Sequence, residues 1–107
     1  MKTLVIAPHP DDETLGCGGT LFRRKEEGAE LGWLIVTEVS ESEGWSSKAV
    51  QQRDIEIKTV AEKIGFDRVY NLGLPSAQLD QLKTVDLVNK FSTVFKGFKP
   101  EEVLLPS

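Results

Sequence analysis

The sequence predicts an α/β fold, a Rossmann-like three-layer sandwich in which a parallel sheet lies between two layers of helices. Short apolar runs of strand length alternate with longer segments of helical periodicity, in the order β-α-β-α-β-α-β. Right-handed crossover connections then place the first strand centrally and predict the strand order 3-2-1-4. A length of 107 residues suffices for one domain, so we expect residues 1–107 to form a single unit.

The first half of the chain supplies two strands and one helix. Residues 3–7 and 31–37 are continuous apolar runs, which are typical of strands covered on both faces. Residues 14–27 predict a helix, because Leu15, Gly19 and Phe22 follow helical spacing and Gly28 ends the segment. The polar residues 38–48 predict a loop.

The second half repeats the alternation. Residues 49–64 and 85–98 predict helices, whereas residues 68–72 and 102–105 predict strands, with a loop at 73–81. Gly65 ends the first of these helices and Pro100 closes the second. The predicted apolar stripes are Val50, Ile57, Val60, Ala61 and Ile64 in one helix and Val85, Val88, Phe91, Phe95 and Phe98 in the other.

Net charge and apolar content argue against several classes of partner. The formal net charge is -4 and the sequence holds no basic block, which argues against nucleic acid or an anionic membrane as the main partner. No apolar run approaches the ~20 residues of a membrane span. The single Cys17 excludes a disulfide within these residues and fits a reducing compartment, so we expect a cytoplasmic protein.

The densest chemistry follows the first strand, where the chain reads Pro-His-Pro-Asp-Asp-Glu from position 8. Ligands of such sheets bind at the carboxyl ends of the strands where the strand order reverses, here between strands one and four. His9 and Asp12 are three residues apart in a turn stiffened by prolines and can converge on one divalent metal, which leaves Asp11 free as a base. These residues favour metal-assisted hydrolysis. The alternative is that Asp11, Asp12 and Glu13 stabilise the start of the next helix.

Two further side chains have roles that the sequence leaves open. Arg53 falls on the apolar stripe of its helix, where a guanidinium should pair with Glu56 or a carboxylate near the site, reach a ligand, or extend to solvent. Trp45 lies in the polar loop after the second strand. There it can stack on the face of a sugar or stand exposed without a role.

The run from Ala7 to Gly19, APHPDDETLGCGG, resembles the LmbE-like family. This family includes the N-acetylglucosaminyl-phosphatidylinositol de-N-acetylases (PIG-L) and the bacterial deacetylases of mycothiol and bacillithiol synthesis. The histidine, the paired aspartates, the glutamate and the trailing glycines are highly specific together. Residues 53–56 also resemble the family's arginine-x-x-glutamate, and Asp80 resembles a residue of its next substrate-side loop more loosely. The resemblance covers the whole chain, matched to the N-terminal half of the family fold.

This resemblance implies a zinc-dependent hydrolase that removes the acetyl group from an N-acetylglucosamine-type sugar conjugate. It implies that His9 and Asp12 bind zinc, that Asp11 is the catalytic general base, and that Arg53 and Asp80 bind the substrate. The family's third zinc ligand comes from a histidine motif after the fourth strand, which these 107 residues do not contain. We therefore expect the 107 residues alone to bind zinc weakly, to lack turnover, and to form homo-oligomers through the open edge of the fourth strand.

Two other functional classes stay open at this point. The chain could be a non-catalytic metal-binding or interaction fragment, or a magnesium-dependent aspartate phosphotransfer domain that uses the same acids. The phosphotransfer hypothesis leaves His9 without a purpose. Metal identity separates these hypotheses, because zinc favours the deacetylase and magnesium favours phosphotransfer.

Overall fold

The computed structural model describes residues 1–7, 18–38, 44–75 and 84–105. Their elements, in chain order, are β1 (Lys2–Ala7), α1 (Gly18–Glu26), β2 (Glu30–Glu38), α2 (Ser47–Ile64), β3 (Arg68–Pro75), α3 (Thr84–Phe98) and β4 (Glu102–Leu104). The strands form one sheet in the order β3-β2-β1-β4, and every pairing is parallel. The predicted fold class and strand order are therefore confirmed.

Alternation along the strands divides the core between the two faces of the sheet. On β1, for example, Val5 and Ala7 pack on one face, whereas Leu4 packs on the other. The first face is covered by α1 and α2, and its buried residues are Val5, Ala7, Leu21, Ala29, Leu31, Trp33, Ile35 and Ile64. The second face is covered by α3, and its buried residues are Leu4, Leu34, Val94 and Phe98. These two clusters on one sheet form the predicted three layers.

Capping residues set the ends of α2. The hydroxyl of Ser46 accepts a hydrogen bond from the backbone N–H of Ala49 at 3.1 Å, so the helix begins at Ser47 rather than at residue 49. At the other end, Gly65 adopts a left-handed φ of 85° and its N–H donates to the carbonyl of Ala61 at 2.9 Å. The N-terminal end of α2 therefore extends two residues into the segment that the sequence predicts as loop.

The structure corrects two of the predicted apolar stripes. In α1, Leu21 is buried and Phe22 is 52% exposed, so Phe22 does not face the sheet. In α3, Phe91 and Phe98 pack against the core as predicted, but Val85, Val88 and Phe95 are exposed. The α3 residues that do pack on the sheet are Phe91, Val94 and Phe98. Two apolar rows at helical spacing share this helix, and only the row nearest the sheet is buried.

A bulge near its end lengthens β3 beyond the predicted strand. Asn71 pairs with Ile35 and Leu74 pairs with Thr37, so β3 holds one residue more than β2 over this stretch. Gly73 supplies a φ of 68°, and its N–H donates to the side-chain oxygen of Asn71 at 2.9 Å. Pairing then continues to Pro75, where the predicted strand ends at residue 72.

The connection from α2 to β3 is held at the amino edge of the sheet by Asp67. Its carboxylate accepts from the N–H of Leu31 at 2.8 Å and from the ammonium of Lys25 at 3.1 Å. The N–H of Leu31, followed by Lys25, lowers the pKa of Asp67 below its ordinary value. Among the described helices, none is long and apolar enough to cross a membrane.

Candidate functional site

The predicted site lies where the central strand β1 ends. Ala7, the last residue of β1, is fully buried and pairs with Ile35 of β2. The predicted metal ligands His9 and Asp12, the predicted base Asp11 and the predicted substrate residue Asp80 all lie outside the described residues. Their arrangement therefore stays a prediction, and the described part of the site consists of the strand ends and the first turns of α2.

Arg53 lies on the part of α2 nearest the carboxyl edge. Helix α2 runs from the carboxyl edge to the amino edge, because it joins the end of β2 to the start of the parallel strand β3. Its first residue packed in the core is Ile57, so Arg53 lies one turn nearer the carboxyl edge on the same stripe. Arg53 is half-buried, as its predicted position on this stripe implies.

The cation of Arg53 has no partner in the described part of the chain. No hydrogen bond or ion pair within that part involves its guanidinium, and Glu56, a partner that the sequence offered, is exposed and does not pair with it. By contrast, Arg24 and Lys25 at the amino edge are both paired with carboxylates. A half-buried guanidinium without an ion pair is available to a ligand at the carboxyl edge.

The end of β3 also contributes to this edge, through a residue that the sequence analysis did not single out. The side chain of Asn71 accepts from the N–H of Gly73, whose left-handed conformation forms the bulge just before the end of β3. β-Bulges are common beside active sites, where they redirect side chains. An asparagine two residues before a glycine was the available signal, because Asn side chains readily accept from the backbone two residues on.

A groove lies between β3 and α3. One cavity of about 320 Å³ is lined by Leu74, Asp86, Leu87, Asn89 and Lys90. A second, of about 360 Å³, is lined by Tyr70, Asn71, Leu72, Lys90, Thr93 and Val94. Lys90 borders both cavities. The groove is on the face of the sheet opposite to α2, so Arg53 does not line it.

Metal-binding side chains do not cluster in the described residues. No group of three or more histidine, cysteine, aspartate or glutamate residues within them could hold a metal ion. The described carboxylates with lowered pKa, Asp67 and Glu102, are engaged by Lys25 and Arg24 at the amino edge. These acids stabilise the scaffold at the amino edge.

Comparison with known proteins places this arrangement in a family. The family model described as GlcNAc-PI de-N-acetylase (PIG-L) matches residues 4–107. The chain is 29% identical to a diacetylchitobiose deacetylase of Thermococcus kodakarensis, over 98% of this chain and 40% of that protein. It is 32% identical over 83 residues to the 1D-myo-inositol 2-acetamido-2-deoxy-alpha-D-glucopyranoside deacetylase of Mycobacteroides abscessus, over 67% of this chain and 30% of that protein.

A solved structure shares the fold. The conserved protein TT1542 from Thermus thermophilus superposes with a TM-score of 0.77 at 36% identity, over 94% of this chain and 44% of that one. The chain thus spans less than half the length of each of these relatives. Because the family model matches nearly every residue, the chain belongs to the GlcNAc-PI de-N-acetylase (PIG-L) family.

Proposed function

We propose that this chain supplies the metal-binding and general-base part of a zinc-dependent N-deacetylase acting on an N-acetylglucosamine-type sugar conjugate. The observation that carries the proposal is the family match over residues 4–107, which include the His-Pro-Asp-Asp-Glu run directly after the central strand. Both relatives described above are named as deacetylases of acetamido sugars. Because the chain spans less than half of each, activity is proposed for the whole protein to which these residues belong.

The donor set fits zinc better than magnesium. His9 offers an imidazole and Asp12 a carboxylate, and zinc accepts both, whereas magnesium prefers oxygen ligands only. A catalytic zinc has three protein ligands and an open position, and no metal-binding cluster exists among the described residues. His9 and Asp12 would hold the metal together with a third protein ligand, which the family resemblance assigns to a histidine motif after the fourth strand.

The metal and the residues of the proposed site have separate roles in the hydrolysis of the amide. Zinc, when bound, supplies a Lewis acid that polarises the acetyl carbonyl and lowers the pKa of water. Asp11 accepts a proton from the attacking water and can return it to the nitrogen of the leaving amine. The amide C–N bond breaks, and the products are acetate and the free amino sugar. Arg53, whose guanidinium is unpaired among the described residues, donates hydrogen bonds to the substrate, and Asp80 accepts from its hydroxyls.

Acetate release tests this proposal. The complete product of the gene that encodes these residues is stripped of metal, supplied with zinc or with magnesium, and incubated with N-acetylglucosamine and N,N'-diacetylchitobiose. We expect release of acetate with zinc only. Phosphorylation of the protein with magnesium and a phosphodonor, without acetate release, would instead support the phosphotransfer hypothesis. Metal binding without either reaction would support the non-catalytic one.

A further inference from the structure

The two tryptophans of the chain occupy opposite environments. Trp33 is fully buried in β2 and stacks on Phe66, with ring centroids 5.2 Å apart and an angle of 19° between the rings. Trp45 is 44% exposed, so part of its indole is accessible to a ligand. It lies immediately before Ser46, the residue that caps α2. The exposed tryptophan is therefore at the carboxyl edge of the sheet, and the buried one is in the core.

Trp45 shares this edge with Arg53. Among the described contacts, the residues of α2 that pack in the core lie at or after Ile57, and the residues that precede Ile57 lie nearer the carboxyl edge. Trp45 lies directly before the N-cap of α2, and Arg53 lies in the part of the helix that precedes Ile57. The guanidinium of Arg53 is unpaired in the described part of the chain. An exposed aromatic side chain and a cation without a partner among the described residues thus belong to one short segment at the carboxyl edge of the sheet.

A purely structural role for Trp45 would be to pack against the first turn of α2. An apolar residue directly before an N-cap commonly packs against the fourth residue of the helix, here Val50, and fixes the angle at which the chain enters it. An aliphatic residue fills that role as well as an aromatic one. The structural role therefore accounts for an apolar side chain at position 45 but gives no reason for an indole that leaves nearly half of its surface in solvent.

We propose that Trp45 is a sugar-binding platform, on which one face of the indole stacks against the apolar C–H face of the sugar ring that Arg53 helps to hold. This inference rests on the proposed function and names a further specificity-determining residue for it. Pyranose rings carry axial C–H groups on their faces and hydroxyls around their rims. Such a ring fits a flat apolar surface flanked by a few placed polar groups.

Tryptophan fluorescence gives a direct test, because Trp33 is fully buried and Trp45 is exposed. Titration of the complete gene product with N,N'-diacetylchitobiose should shift and quench the emission of Trp45, and Trp45→Leu should abolish that part of the change. Leucine keeps an aliphatic contact with the helix, so folding measured by circular dichroism should be preserved. Affinity measured by calorimetry should fall roughly three- to tenfold in Trp45→Leu and stay near that of the unchanged gene product in Trp45→Phe. Phe22→Leu, at an exposed aromatic on α1, is the matched control and should change nothing.

The outcomes separate this inference from the function on which it rests. Equal sugar affinity in the unchanged gene product and in its Trp45→Leu variant would overturn the platform, as would a complete gene product that binds no sugar. In the complete gene product, we expect Trp45→Leu to raise KM by the same three- to tenfold with kcat nearly unchanged. Acetate release with an unaltered KM would overturn the platform and leave the deacetylase standing. Sugar binding through Trp45 without acetate release in the presence of zinc would support the platform and contradict the deacetylase function.

Discussion

Arg24 and Glu102 form a two-point ion pair that joins the end of α1 to the start of β4. The Nε of Arg24 lies 2.8 Å from one carboxylate oxygen of Glu102, and Nη2 lies 3.0 Å from the other. The hydroxyl of Thr3 on β1 donates to the same carboxylate at 2.9 Å. Hydrogen bonding by Arg24 lowers the pKa of Glu102. The pair connects three elements at the amino edge, opposite the candidate site.

Removing the charge of Glu102 should destabilise the fold. In Glu102→Gln, the guanidinium of Arg24 loses its bidentate charged partner, so we expect the free energy of unfolding to fall. Urea unfolding measures this change. Glu27→Gln is the matched control, because Glu27 contacts the same arginine at 3.3 Å from a more exposed position. Equal effects of the two variants would show that the two-point geometry adds nothing.

Stability should decrease in acid through Glu102 and Asp67. Both carboxyls have a pKa below the ordinary value, Glu102 through Arg24 and Asp67 through the N–H of Leu31 and then Lys25. Their stabilisation is complete above the unfolded pKa values of about 4.3 and 3.9, and it is lost as pH falls through the lower folded values. Urea midpoints from about pH 6 to pH 3 should fall less steeply in the Glu102→Gln, Asp67→Asn double variant. The exposed Glu62→Gln is the control, and an unchanged slope in the double variant contradicts the assignment.

Two glycines should respond oppositely to alanine. A Cβ at Gly32 would lie 2.9 Å from the ring of Phe98 and 3.1 Å from Leu4, so Gly32→Ala should cost about 1–3 kcal/mol through overpacking. A Cβ at Gly97 in α3 would meet no atom within 4 Å. Gly97→Ala should therefore stabilise by about 0.5 kcal/mol through helix propensity. Thermal unfolding measures both changes, and stabilisation by Gly32→Ala would show that α3 packs less closely on the sheet than described.

The edge strand β4 should mediate self-association of the 107 residues. β4 pairs with β1 on one side and with no other described strand on its outer side, and Val103 and Leu105 are exposed there. Light scattering should detect oligomers that Val103→Lys disperses, because charge on an exposed edge opposes strand pairing. Phe22→Lys, on α1, is the control. A chain that stays monomeric at all concentrations would contradict this prediction.

The fold was predictable because apolar runs of strand length and helical spacing are local in the sequence. The strand order followed from the handedness of crossovers, and the burial of Trp33 followed from its place in a continuous apolar run. The buried face of α3 was predictable only in part, because spacing predicted Phe91 and Phe98 but not Val94. Two apolar rows run along that helix, and only packing against β1, β2 and β3 selects the row that contains Val94.

Features that depend on distant residues were the ones missed. Arg24 and Glu102 are 78 positions apart, so no local pattern signals their pairing. The extension of β3 requires a left-handed Gly73 inside a strand, which the sequence suggests as a loop. At the site, the stripe position of Arg53 followed from helical spacing. The roles of His9, Asp11 and Asp12 stay predictions because they depend on side chains outside the described residues.

The central claim is that Asp11 is the general base of a zinc-dependent N-deacetylase. The most direct test measures acetate release from N,N'-diacetylchitobiose, together with bound zinc, in the complete gene product and its Asp11→Asn variant. Asp54→Asn, an exposed acid beside Arg53, is the control. We predict that Asp11→Asn keeps its zinc and loses roughly 10²-fold or more in rate, because general-base catalysis contributes about that much. Full activity in Asp11→Asn, or loss of its zinc, would contradict the assignment.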